Sequence, residues 1–123
     1  MPSLSARLVN CALPLFGIRR FFGEPGRMAE RIARMRTARP LRPREKWRRD
    51  FEIVEDVSRG YAVVTITPRS NLAEGAPHLL YLHGGGYVMD IAAVHWDAVL
   101  RLCADLGASA TVPVYPLAPE HTD

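Results

Sequence analysis

YLHGGGYVMD, Tyr81 to Asp90, is the stretch on which the fold turns. It sets three consecutive glycines directly after the apolar run His78-Leu79-Leu80-Tyr81-Leu82. Glycine loses more backbone entropy on folding than any other residue, so three in a row point to backbone that must stay bare of side chains. The run before them is short and almost wholly apolar, the pattern of a strand buried on both faces in a parallel sheet. After them Asp90 can cap a helix. Val99, Leu102, Cys103 and Leu106 mark its buried face, Asp97 and Arg101 form an i,i+4 pair outside, and Gly107 ends it. Thr111–Tyr115 reads as the next strand. Strand, helix and strand within about 35 residues make a βαβ unit, with a right-handed crossover and parallel pairing. Pro113 cannot donate to a ladder, which predicts an irregular or interrupted pairing in that second strand.

Upstream, Phe51, Ile53, Val54 and Val57 are followed by the β-branched run Tyr61–Thr67, with Ser58-Arg59-Gly60 between them as a turn. Those signals predict a β-hairpin that Pro68 ends, and Ser70–Pro77 is a polar loop. Further back, Pro25 suits a helix first turn and Pro40 a stop. Between them Met28, Ile32 and Met35 line one face and Arg27, Arg31 and Arg34 another, which describes an amphipathic helix with a solvated basic side. Arg39–Arg49, with two prolines, reads as a basic linker. In residues 1–23, Leu4, Leu8 and Cys11 share a helical face; a short helix there could lie on a membrane surface or cover a groove of its own protein.

The chain has 123 residues, 48% of them hydrophobic and 24% charged, which is the composition of one ordinary globular domain. Its two cysteines, Cys11 and Cys103, build no disulfide framework, so a reducing compartment is the default. Leu8–Ile18, the only candidate for a signal h-region, is broken by Asn10 and Pro14, and no run reaches the ~20 apolar residues of a membrane span. A cytoplasmic location follows as the expectation. The net charge of +3 conceals a division: residues 1–49 carry thirteen basic against three acidic residues, and residues 50–123 three against ten. The two halves are complementary. A basic half of that strength also leaves open a weak contact with an anionic membrane surface; the stripe of Arg27, Arg31 and Arg34 lacks the interleaved aromatics that stack bases, so no nucleic acid is expected.

The glycines sit at the C-terminal end of a strand and before a helix, which is where open α/β sheets bind ligands. Two backbone N–H groups aimed at one point there can stabilise an oxyanion, each worth roughly 3–4 kcal/mol in an acyl-transfer transition state. Neither phosphate-binding glycine pattern, G-x-G-x-x-G nor G-x-x-x-x-G-K-[ST], is present, and no cofactor or metal is called for.

HGGGYV at His83–Val88, preceded by the strand HLLYL and followed by His95 in the next helix and YPLAPEH at Tyr115–His121, resembles the hormone-sensitive-lipase-like esterases of the α/β-hydrolase fold. The resemblance covers about residues 50–123. It implies a carboxylic-ester hydrolase acting on small esters, with Gly85 and Gly86 supplying the oxyanion-hole N–H groups. It gives His83, Gly84 and Tyr87 structural places in the motif, His83 through a ring hydrogen bond within the loop. His78 and His121 fall at strand and loop edges, and His95 is a packed or solvent-facing histidine. Pro116 stands where that family usually has Arg, which implies an altered loop after the strand. Residues 1–49 correspond by position to the family's helical N-terminal cap.

The rest of an ester hydrolase is missing. None of Ser3, Ser5, Ser58, Ser70 and Ser109 lies in G-x-S-x-G; Ser109 comes nearest, and it precedes a strand where the nucleophile must follow one. No member of a catalytic triad is therefore expected in this chain. The expectation is a truncated α/β fold: a basic helical cap-like segment over 1–49, then over 50–123 the N-terminal part of an α/β-hydrolase sheet, a hairpin followed by a parallel βαβ unit. Its last strand should lie near the sheet centre with one edge uncovered. The oligomeric state is open. The alternative is a non-catalytic protein whose basic half binds an anionic surface.

Overall fold

A computed structural model describes residues 25–36, 41–118, 120 and 121. The expected helix over residues 1–23 lies outside them. The chain divides into two compact units, Met1–Thr37 and Ala38–Asp123. In the first, helix α1 (Pro25–Met35) starts on its proline as the sequence requires, buries Ile32, half-buries Met28 and exposes Arg27 and Arg34. Arg34 pairs with Glu30 one turn earlier. No helix among the described residues is long and apolar enough to cross a membrane.

The second unit is a four-stranded mixed sheet with one helix. A 3-10 turn (Glu45–Arg49) leads into β1 (Phe51–Asp56) and β2 (Ala62–Pro68), then come β3 (His78–Leu80), helix α2 (Ala93–Leu106) and β4 (Ser109–Val114). The spatial order is β1-β2-β4-β3. β1 and β2 form the predicted hairpin, in register from Phe51 opposite Pro68 to Asp56 opposite Val63. Its turn closes with the Gly60 N–H donating to the Val57 carbonyl at 3.1 Å, Gly60 taking φ +84°. β4 runs antiparallel to β2 and parallel to β3.

Alternation along β2 and β4 points Val64, Ile66, Ala110, Val112 and Val114 to one face, where they meet Trp96, Val99, Leu100 and Cys103 of α2, with Phe51 and Ile91 completing the core. Burying each of the larger aliphatic side chains contributes about 1.5–3 kcal/mol, and this face supplies most of what holds the unit together. The helix is turned from its expected orientation: Trp96 and Leu100 are buried, whereas Leu102 is 43% and Leu106 51% exposed. The wide side chain of Trp96 sets that rotation. Its indole N–H donates to the Leu41 carbonyl at 2.7 Å, and Trp47, from the segment that reads as a linker, donates to Asp97 at 2.8 Å. Asp97 also pairs with Arg44, so its direct partners lie across space and Arg101 contributes only its charge. Residues 41–49 are thus packed onto the second unit.

Three further expectations are corrected. α2 is not capped by Asp90; it begins after Ala92, whose N–H donates to Nδ1 of His95 at 3.0 Å, the reach-back half of a capping box. β3 is not buried on both faces: Leu79 packs against the core under α2, whereas Leu80, on the opposite face, is 66% exposed. β4 does not present an uncovered edge, since β2 and β3 flank it, and it ends at Val114. The Pro113 conflict resolves through geometry. The Thr111 carbonyl accepts from the Tyr81 N–H at 2.9 Å, so Pro113, two residues on, turns its missing donor to the same side. There β3 has already left the ladder, which ends at Leu80 opposite Thr111.

Candidate active site

The chain leaves the sheet after Tyr81 and enters the glycines within three residues. His83 is buried, at 4% exposure. Its ring lies parallel to that of Tyr115, with centroids 4.4 Å apart and a 7° interplanar angle, and the Tyr115 hydroxyl donates to the His83 carbonyl at 2.5 Å. His83 Nδ1 sits 2.9 Å from the Gly84 carbonyl oxygen. A carbonyl only accepts, so Nδ1 carries the proton and Nε2 holds the lone pair. That Nε2 is buried and has no partner among the described residues.

Positive φ runs through three successive residues: Gly85 at +135°, Gly86 at +62° and Tyr87 at +61°. Gly85 is the position where glycine is obligatory, because a Cβ there would come within 2.7 Å of the Met89 carbonyl oxygen. Tyr87 holds a left-handed conformation without being glycine, which stores strain of order 1–3 kcal/mol that the surroundings must hold. Two contacts do so: its carbonyl accepts from the Ala118 N–H at 2.9 Å, and its ring lies 6.2 Å from that of Tyr115. The turn is closed by the N–H groups of Val88 and Met89, both donating to the Gly85 carbonyl, at 3.2 and 3.1 Å.

The loop's polar groups therefore divide by kind. The carbonyls of His83, Gly84, Gly85 and Tyr87 all accept bonds from the protein. The N–H groups of His83, Gly84, Gly85, Gly86 and Tyr87 make no hydrogen bond among the described residues, and the Gly86 carbonyl has no donor there. Nothing lies within 4 Å of where a Gly86 Cβ would stand. The stretch Leu82–Tyr87 lines a cavity of about 570 Å³ together with Tyr61, Pro113 and Tyr115. No Asp, Glu, Lys or Arg among the described residues lines it.

His83, Gly84, Gly85, Gly86 and Tyr87 all line this cavity. His95 stands behind the loop: its Nε2 would be 4.0 Å from a Cβ at Gly84, and its ring lies 6.0 Å from that of His83. Burial, with a smaller contribution from His83, holds the His95 pKa below its ordinary value. The other histidines are elsewhere. His78, at the opposite end of β3, bridges Ser109 Oγ at 2.7 Å and Thr111 Oγ1 at 2.9 Å, and none of these three residues lines the cavity. His121 is exposed beside Pro116 in a neighbouring hollow. Sequence reasoning assigned no role to Tyr115 or Ala118, which hold the loop at its two ends, nor to Tyr61. The signal for the first two was at hand in YPLAPEH, where they are the first and fourth residues. Burial, and then Tyr87, raise the Tyr115 pKa and keep its hydroxyl a donor.

Residues 79–122 match the sequence profile of the alpha/beta hydrolase fold family. No curated protein sequence matches the chain. Among solved structures, a candidate esterase from Staphylococcus aureus superposes with a TM-score of 0.62 at 15% identity, over 80% of this chain and 32% of its own. An esterase/lipase from an uncultured bacterium is 28% identical over 67% of this chain and 26% of its own, with a TM-score of 0.49. A hormone-sensitive lipase from a metagenome library is 25% identical over 76% and 28%, with the same score. The chain thus spans about a third or less of the length of these proteins, and its sheet is part of an alpha/beta hydrolase fold.

Proposed function

We propose that this chain, whose residues 79–122 match the alpha/beta hydrolase fold family, carries the oxyanion loop of a carboxylic-ester hydrolase. One observation carries the reading: four carbonyls of the glycine loop are bonded to the protein, while its N–H groups, those of Gly85 and Gly86 among them, have no acceptor among the described residues and stand at a cavity. A loop of that kind is a donor-rich surface, suited to negative charge that develops on a carbonyl oxygen. Gly85 and Gly86 are the donors. The cavity walls are tyrosine, leucine and proline, so the acyl or alcohol group they receive is small, neutral and apolar. The nucleophile, its base and the orienting acid would come from chain beyond these residues, since Ser109 is bonded to His78 away from the cavity.

The test is a titration of the ¹⁵N-labelled chain with diethyl phosphate, a small tetrahedral monoanion. Saturable shifts of the Gly85 and Gly86 amides are expected. Shifts scattered over the basic surface, or none, would reject the reading. A second outcome follows from the missing nucleophile: the 123-residue chain should not turn over a short activated ester above background, and a serine-directed phosphonate should not label it. Turnover abolished by Ser109→Ala would place the chemistry at Ser109 instead.

A further inference from the structure

We propose that Tyr115 is the positioning residue of this loop: through His83 it sets the direction in which the Gly85 N–H points, while Gly86 is set independently. The inference rests on the reading of those N–H groups as oxyanion donors. Its basis is the planarity of the peptide unit. In a trans peptide the N–H of one residue points opposite to the C=O of the residue before it. Whatever holds a carbonyl therefore aims the next N–H. The Gly85 N–H shares its plane with the Gly84 carbonyl, and that carbonyl is held by His83 Nδ1. The Gly86 N–H shares its plane with the Gly85 carbonyl, which is held by the N–H groups of Val88 and Met89. The two donors thus have separate anchors: an imidazole ring for one, a backbone turn for the other.

The backbone turn is rigid by construction, since two N–H groups converge on one oxygen. A histidine ring has two rotatable bonds and needs something to hold it. Tyr115 does this twice, stacking on the ring face and donating its hydroxyl to the His83 carbonyl. That second bond also fixes the first peptide of the loop, whose N–H belongs to Gly84. The Ala118 N–H, three residues after Tyr115, holds the Tyr87 carbonyl at the far end. The segment following β4 therefore acts as a clamp over the loop that follows β3, and parallel pairing of the two strands is what brings the two segments side by side. The YPLAPEH stretch thereby acquires a mechanical role at its first and fourth residues.

Tyr115→Phe keeps the stacked ring and removes the hydroxyl, so it separates the two contributions. In the free variant the Gly84 amide, whose peptide loses its anchor, and the Gly85 amide after it should shift, whereas the Gly86, Val88 and Met89 amides keep their wild-type values. Affinity for diethyl phosphate should fall about 5-fold, the usual effect of losing one net hydrogen bond. General loosening would move all five amides together, and that outcome, or no change at Gly85, overturns the proposal. If wild-type chain fails to bind diethyl phosphate, the donor reading falls while the amide asymmetry is still decided in the free protein. Should Tyr115→Phe not fold, the ring ¹⁵N shifts of wild-type His83 decide: a protonated Nδ1 with a bare Nε2 is required, and the opposite tautomer removes the anchor and the proposal with it.

Discussion

β3 and β4 lie side by side, run parallel and read alike as short apolar strands, yet they hold opposite stations. β4 is paired on both edges and buries Ala110 and Val112 completely under α2. β3 is paired on one edge for three residues and leaves Leu80 largely in solvent. The difference teaches that an apolar strand is buried by its neighbours and not by its own composition. It also divides labour. Around β4 stability is spread over many interdigitated side chains, none indispensable to geometry. After β3 the loop depends on single hydrogen bonds, each aiming one group. A change in the first region should lower stability and leave the loop's geometry alone; a change in the second should disturb the loop's geometry at a smaller cost in stability.

The largest effect should come from the first region. Trp96→Ala removes a fully buried indole and leaves the Leu41 carbonyl without its donor. Large-to-small changes of this kind cost about 3–5 kcal/mol. Urea denaturation followed by circular dichroism reads the loss directly. A loss below about 1 kcal/mol would mean that the helix is not the principal cover of the sheet and would break the comparison.

Next come the glycines, where two neighbouring substitutions should differ. Gly85→Ala meets both the Met89 carbonyl and a φ of +135°, and should cost about 1–3 kcal/mol. Gly86→Ala meets nothing within 4 Å and a milder φ of +62°, so about 1 kcal/mol is expected. Both variants should confine their amide shifts to the loop. Equal costs would show that Met89 yields easily and that the loop is softer than its hydrogen bonds imply.

The sequence made the hairpin, the βαβ unit and the glycine loop legible for a physical reason: each is announced by local periodicity or by residues with restricted dihedrals. Gly60 and Gly107 marked their turns because their left-handed φ has few other occupants. What stayed hidden was set at a distance. Trp96, Val99, Leu100 and Cys103 do fall at i, i+3, i+4 and i+7, but the contact of Trp96 with a segment some fifty residues earlier is written in no local pattern. The exposure of Leu80 depends on what covers the sheet face opposite α2. His95 took over the cap expected of Asp90 because a ring nitrogen can accept an N–H as an aspartate oxygen can. Of the site, the glycines and His83 were readable from their motif. The role of Tyr115 was not, since it exists only once β3 and β4 are paired.

A smaller effect concerns that histidine. His95 Nδ1 accepts the Ala92 N–H, so a proton there would set donor against donor at the start of α2. Burial lowers the His95 pKa below its usual 6.5, so the folded state favours the neutral ring. A depressed pKa gives stability that is fully present above the unfolded value and is lost as pH falls through it towards the folded one. Stability measured at about pH 7.5 and about pH 5.5 should therefore fall more for wild type than for His95→Gln, whose side-chain oxygen can accept without titrating. The same fall in both would assign the acid sensitivity to other groups. A glycine loop loosened in acid, seen as faster exchange at Val88 and Met89, should accompany the wild-type loss, because Gly84 rests against the same ring.

The smallest effect on stability is expected at the edge itself, and it tests the comparison from the other side. Leu80→Lys exchanges an apolar side chain that is already 66% exposed for one whose charge remains in water. Surface changes away from special features stay within about ±0.5 kcal/mol, so the denaturation midpoint should scarcely move. Self-association should respond instead. An exposed apolar edge with unpaired N–H and C=O groups is a template for another strand, and lysine is a common means of blunting it. β1, the opposite edge, already carries Glu52, Glu55 and Asp56 on exposed positions, whereas β3 has no acidic or lysine residue to oppose pairing. Sedimentation at rising concentration should show wild type associating and Leu80→Lys remaining smaller. A matching acidic-to-leucine change at Glu52 on β1 should push the other way. If Leu80→Lys instead destabilised the chain by more than about 1 kcal/mol, β3 would be contributing the kind of packing assigned here to β4, and the division between the two strands would fail.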